Sequence, residues 1–129
     1  EQDAANLQFD QVFDFVTTFD AVHDQAQPQK MVAGIYASLK SGGYWLCADL
    51  CASSHLGENL DHPIGTFGYT VSCMHCMSVS LAYAGEGLGA MWGAQKAQEI
   101  FTDAGFKVEE VARVDGDAGN NYYLCRRPL

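Results

Sequence analysis

Positive charge is what this chain has least of. Seven Lys and Arg stand against sixteen Asp and Glu, a formal net charge of -9, and the first basic residue, Lys30, follows six acids. A protein that reads nucleic acid through its phosphates needs a basic face, so no nucleic-acid partner is expected for this segment. Long apolar runs are missing as well. No stretch approaches the ~18 uninterrupted apolar residues of a membrane helix, so no membrane partner is expected either. The amino end, Glu1-Gln2-Asp3, is acidic and lacks the apolar core of a signal peptide. It is also not Met, which leads us to expect a processed product or an excised piece of a longer chain. Internal repeats and low-complexity tracts are absent. What is present is 129 residues, 48% hydrophobic and 12% aromatic, too apolar for a disordered chain. That length fits one domain, burying roughly two-thirds of the surface its unfolded chain exposes.

Five cysteines, at positions 47, 51, 73, 76 and 125, are an odd number set in apolar runs. They fit a reduced cytoplasmic protein better than a disulfide scaffold. Cys73-Met-His-Cys76 has C-x-x-C spacing with His75 inside it, and Cys47 with Cys51 could complete a zinc site. The residues around that motif, Tyr69 to Ala82, lack the Gly or charge of a zinc knuckle and read as a packed helix. The favoured expectation is therefore no metal, with the cysteines acting as small core hydrophobes.

Along the chain, Val12 to Phe19 is β-branched and aromatic and reads as a strand buried on both faces. A polar run, Asp20 to Gln25, comes next. Pro28 fits the first turn of a helix carrying Met31, Val32, Ile35 and Leu39, and Gly42-Gly43 ends it. Tyr44 to Leu50 is a second buried strand. Strand, helix and strand with short connections signal a parallel pair. Residues 52 to 66 read as a long loop. Phe67 to Ala84 reads as a helix, Gly85 to Gly89 as a break, and Trp92 to Ala104 as a third helix. Phe106 to Val114 and Asn121 to Arg126 form strands joined so closely that they must be antiparallel neighbours. The fold class is α/β: two parallel strands followed by a carboxyl-terminal antiparallel hairpin, with flanking helices.

Ligands of open parallel sheets sit beyond the carboxyl ends of the strands. Here those ends are Phe19 to Gln25 and Asp49-Leu50-Cys51. His23, with an unperturbed pKa near ~6.5, is the best single candidate for acid–base work, and Asp24 beside it could orient it or bind. The competing reading makes Asp20 and Asp24 helix caps and leaves His23 exposed. Gly85-x-Gly-x-Gly89 invites a nucleotide-loop reading, but a strand should precede that motif and a helix precedes it here; a bend between helices fits better. Met74, Met77, Met91 and Trp92 suit either core packing or an adaptable apolar pocket. His75 fits a packed position, although Ser72 and His75 share a turn and could face a pocket.

These residues resemble a known family. Phe13 to Pro28, then Leu39-Lys-Ser-Gly-Gly-Tyr-Trp-Leu-Cys-Ala-Asp49, resembles the carboxyl-terminal half of class I S-adenosylmethionine-dependent methyltransferases, with Ser41 where Pro is usual in the L-x-P-G-G element. Ser72 to Leu81 with Gly87 to Gly93 resembles a narrower subgroup that carries a winged-helix-like amino-terminal region. The hairpin from Phe106 to Arg126 resembles the reversed last strand of that Rossmann-like sheet. The likeness spans nearly all of residues 1–129.

The resemblance implies that Phe19, Asp20 and Ala21 line the methionine end of S-adenosylmethionine. It implies that His23 and Asp24 supply the base that deprotonates an acceptor hydroxyl. Met74, His75 and Trp92 fall in the substrate-side cover, and the substrate is a small molecule. The glycine-rich cofactor loop and the ribose-binding acid have no counterpart. The isolated chain is accordingly expected to bind S-adenosylmethionine weakly or not at all, and to be inactive alone. A half-sheet would leave an edge and an apolar face unpaired, favouring a homodimer or association with the missing amino-terminal half. A non-catalytic interaction module is the alternative function, and a metal module on Cys73, His75 and Cys76 is a third.

Overall fold

The computed structural model describes residues 1–129. Its centre is a four-stranded sheet in the order β1-β2-β4-β3, where β1 is Phe13–Phe19, β2 Leu39–Leu50, β3 Lys107–Ala112 and β4 Asn120–Arg126. β1 and β2 run parallel, Phe15 opposite Tyr44 and Phe19 opposite Ala48. β4 is antiparallel to both β2 and β3, so the closing hairpin inserts its second strand beside β2. The α/β class, the parallel pair and the antiparallel hairpin are as the sequence leads one to expect.

Helix α1, Pro28–Ser38, connects the parallel strands and starts on a proline whose missing N–H has no partner to lose. It buries Met31, Val32 and Ile35, one face at helical spacing. Helix α4, Ala94–Asp103, lies on the same side of the sheet and adds Ala97, Ile100 and Phe101. Between them and the sheet sits the core: Trp45, Cys47, Tyr123 and Cys125, alternate residues of β2 and β4 that project to one face. Trp45 packs edge-on against Phe101 at 4.6 Å between ring centroids, and its indole N–H donates to Thr18 Oγ1 at 3.0 Å. No helix is long and apolar enough to cross a membrane.

Several expectations about elements need correction. β1 is not buried on both faces. Phe15 is 54% exposed and Phe19 60% exposed, because β1 has only β2 beside it and the helices cover only the face of Val16 and Thr18. By register, Phe15 and Phe19 share the opposite face with Tyr44, Leu46, Tyr122 and Leu124, an apolar surface that is exposed or half-buried. Gly42-Gly43 does not end α1. β2 already begins at Leu39, and the glycines lie inside it, where a Cβ on Gly43 would press on the carbonyls of Lys40 and Asp14. The stretch from Phe67 is also no uniform helix: α2, Gly65–Val71, passes through a π turn, Ser72–Cys76, into α3, Met77–Ala82. Trp92 precedes α4 rather than opening it.

Gly93 fixes the entry to α4. Its φ is +85°, and a Cβ there would collide with the backbone of Ser53 and Ser54. That approach lets the Ala94 N–H reach the Ala52 carbonyl at 2.9 Å, and the Ser54 hydroxyl donate to the Trp92 carbonyl at 2.7 Å. Gly93→Ala combines left-handed strain with a backbone clash, and is expected to cost about 2–3 kcal/mol. A urea titration giving less than about 1 kcal/mol would show that the loop relaxes freely.

Candidate functional site

The carboxyl ends of β1 and β2 bring together residues from three separate segments. β1 leaves the sheet at Asp20, whose φ of +46° is unusual for a residue with a Cβ. Its N–H still donates to the Ala48 carbonyl at 2.9 Å, so the turn is fixed by the sheet itself. The loop then carries Val22 and His23 inward, 0% and 4% exposed. α3 and the turn after it hold the far side of that loop: the Ser80 hydroxyl donates to the Gln25 carbonyl, and the Glu86 N–H to that of Ala26.

Asp49, at the end of β2, is fully buried. Its Oδ1 lies 2.7 Å from His23 Nδ1 and accepts from the Leu50 N–H at 2.9 Å and the Trp92 indole N–H at 3.1 Å, while Oδ2 has no partner. A carboxyl group held this way keeps the proton of a neutral imidazole on Nδ1 and leaves the Nε2 lone pair free. That nitrogen faces Asp24, with Oδ1 at 3.3 Å on a half-exposed side chain. Burial opposes the charged form of His23, but the hydrogen bond and charge of Asp49, with Asp24 and Asp20 behind, outweigh it and raise its pKa above the usual value. Burial and the charge of Asp49 likewise raise that of Asp20, whose Oδ2 accepts from the Asn120 amide at 3.3 Å.

His23 and Asp24 therefore adjoin, but the residue that orients the ring is Asp49. His23 is buried, and neither Asp20 nor Asp24 caps α1, whose first turn has no side-chain cap. Phe19 lies at the open strand end, half-buried Ala21 is close behind it in the chain, and Trp92 is a core residue bracing Asp49. Met74 and His75 are exposed on the π turn, Met74 at 78%. Cys73 is exposed while Cys76 turns inward, so Cys73, His75 and Cys76 do not converge as ligands. All five cysteines are unpaired. Burial first, then Asp24, push the Cys76 thiol up to about 11. The roles of Asp49 and Trp92 were the part that sequence reasoning missed. The only signal was that Asp49 ends the second parallel strand.

A parallel pair closed by a reversed hairpin is the fold expected of the class I methyltransferases. The comparisons agree on the fold. Residues 1–47 match the family model described as a methyltransferase domain. An S-adenosylmethionine-dependent methyltransferase from Methanosarcina mazei superposes with a TM-score of 0.63 at 17% identity, over 99% of this chain and 66% of that one. An O-methyltransferase family 2 protein from Planctomyces limnophilus, solved with apigenin, gives 0.70 at 20% identity over 98% and 33%. The [4+2]-cyclase SpnF gives 0.68 at 14% identity over 99% and 54%. At these identities the likeness shows the fold, and a cyclase among the matches shows that the fold alone does not set the reaction. The chain spans between a third and two-thirds of these three structures. No curated protein matches it.

Proposed function

We propose that residues 1–129 form the acceptor-side, carboxyl-terminal part of an S-adenosylmethionine-dependent methyltransferase acting on a small molecule, with His23 as general base. The observation carrying this reading is the buried His23–Asp49 pair at the carboxyl ends of the two parallel strands. The Planctomyces limnophilus protein's complex with apigenin supports a small-molecule acceptor.

The residues present fit one flank of a cofactor cleft. The open strand end offers the exposed Phe19 ring and the Asp20 carboxyl group, flanked by Ala21. A glycine-rich phosphate-type loop is not among them, since Gly85 to Gly89 come after a helix rather than a strand. S-adenosylmethionine, when bound, supplies an electrophilic methyl group on a sulfonium. The chain's own contribution is acid–base and positional. His23 Nε2 accepts the acceptor's proton, Asp49 stabilises the resulting imidazolium through its hydrogen bond with Nδ1–H, and Trp92 with the Leu50 N–H holds Asp49 still. Most of the remaining rate comes from holding donor and acceptor in line, which one flank alone does not do.

Two measurements bear on this reading. Calorimetric titration of S-adenosylmethionine into this chain should show weak binding or none, and micromolar affinity would overturn the incomplete-cleft picture. In the methyl-transfer-competent protein, His23→Ala should lower turnover by about 10²–10⁴-fold with cofactor affinity nearly unchanged, and full turnover would remove His23 from the role.

A second reading, an association module, is favoured by one observation. The uncovered face carrying Phe15, Phe19, Tyr44 and Leu46 adjoins the free edge of β1, beside an apolar cleft of about 270 Å³ lined by Leu7, Phe9, Phe13, Phe15, Val16 and Ser38. Such an edge accepts another strand, from a second copy or from further methyltransferase sequence. Unpaired cysteines fit a reducing, cytoplasmic setting.

A further inference from the structure

Cys76 is the residue the acid–base reading leaves unexplained. The π turn places one residue more in its turn than an α-helix does, and this sets Cys76 inward, 5% exposed, while Cys73, Met74 and His75 before it stay exposed. Where Cys76 points, a ring nitrogen of His23 and a carboxyl oxygen of Asp24 lie with its Sγ within 4.8 Å of one another. We propose that His23, Asp24 and Cys76 form a binding site for a thiophilic divalent cation of the zinc type, which takes only the second cysteine of the C-x-x-C motif.

The donor set carries the choice of ion. One imidazole, one thiol and one carboxyl group suit zinc, or cobalt as its probe, whereas magnesium and calcium require oxygen ligands. With bonds of about 2.0–2.3 Å, donors around four-coordinate zinc stand about 3.3–3.7 Å apart. His23 Nε2 and Asp24 Oδ1 already stand at 3.3 Å. The Cys76 Sγ lies within 4.8 Å of both, so the thiol needs to approach by about 1 Å to complete the set. Two donors are buried and one reaches solvent, which supplies both a dry site and an entry path. The second ring nitrogen bonds to buried Asp49, the carboxylate–imidazole–metal arrangement that holds metal-binding histidines in place. Three protein donors leave one coordination position open.

The ion would take the same Nε2 lone pair that receives the acceptor's proton. If the methyltransferase reading is correct, zinc is therefore an inhibitor of proton transfer and not its cofactor. Binding itself does not depend on that reading.

The test uses the chain after treatment with chelator. Cobalt(II) is expected to bind at one equivalent, giving the intense visible bands of a four-coordinate ion and a near-ultraviolet thiolate-to-cobalt band. Zinc should abolish both by displacement. Cys76→Ser should remove the thiolate band and weaken zinc about 100-fold, and Asp24→Asn about 10-fold, while Cys73→Ser leaves both unchanged. Circular dichroism checks folding of each variant. If Cys76→Ser unfolds, the exposed Asp24→Asn change decides: unaltered zinc affinity overturns the site. A thiolate band that survives Cys76→Ser, or disappears with Cys73→Ser, overturns it too, as does absence of binding at high micromolar zinc. Inhibition by zinc of the methyl-transfer-competent protein is a separate readout, and its failure beside a normal cobalt spectrum would count against His23 as base while leaving the metal site intact.

Discussion

If His23 is the general base proposed above, Asp49→Asn in the methyl-transfer-competent protein is expected to lower turnover by about a thousandfold while leaving the fold in place. The change is isosteric, but His23, Leu50 and Trp92 all meet the same oxygen, Oδ1. At the cost of the Leu50 and Trp92 bonds, the amide can turn its NH₂ toward His23 Nδ1. That stabilises the tautomer with its proton on Nε2, the nitrogen that must accept one. The charge that offsets burial of the imidazolium is also lost. In the unchanged protein the pKa of His23 is raised, so the pair stabilises the fold fully below about pH 6.5 and loses that contribution as pH rises through the folded value. In Asp49→Asn burial dominates, the pKa drops below about 6.5, and stability should instead fall on acidification. NMR titration of the His23 ring in both proteins measures the shift directly. A ring that titrates identically in the two would show that Asp49 does not set its protonation.

Phe101→Ala should bring the largest loss of stability, about 3–5 kcal/mol. Phe101 is fully buried and touches three other aromatic side chains: Trp45 at 4.6 Å, Tyr123 at 5.4 Å and Trp92 at 6.2 Å between centroids. These rings come from β2, β4 and the approach to α4, so one truncation leaves a cavity where the sheet meets its helix layer. Trp92 then loses the wall behind its indole, and the hydrogen bond to Asp49 loosens. Denaturant unfolding gives the free energy, and Trp fluorescence reports the indole environment. Phe101→Leu, which keeps most of the volume, should cost under about 1.5 kcal/mol. A Phe101→Ala loss no greater than that of Phe101→Leu would mean the site collapses without a cavity.

The parts of the molecule that sequence made legible are those whose signals are local. Pro28 and the spacing of Met31, Val32 and Ile35 mark α1, and the short link between β3 and β4 dictates a hairpin. His23 stood out because a titratable group at a strand's carboxyl end has few structural duties. Asp49 was visible only as a strand end. Its meaning depends on His23 and Trp92, which reach it from distant parts of the chain, and no periodicity encodes such a contact. The exposure of β1 is illegible for a related reason. A run of Val, Phe and Thr reads as interior whether or not a neighbour lies beside it, and neighbours are a property of sheet order. The π turn was hidden because an extra residue in one turn leaves composition untouched and shifts only the phase of the helix beyond Cys76.

The sheet order also bears on how the chain can be made. β4 is the latest element in sequence, yet it lies between β2 and β3. β2 ends at Leu50, far ahead of β4 in the chain, whereas β3 ends at Ala112, one short turn before it; neither has its hydrogen-bonding neighbour in β4 until residues 120–126 are made. During that interval both strands must stay unpaired with each other, because any premature pairing would close the slot that β4 fills. The slot beside β2 is thus the last part of the sheet to close, and it closes only when the β3–β4 hairpin docks as a unit.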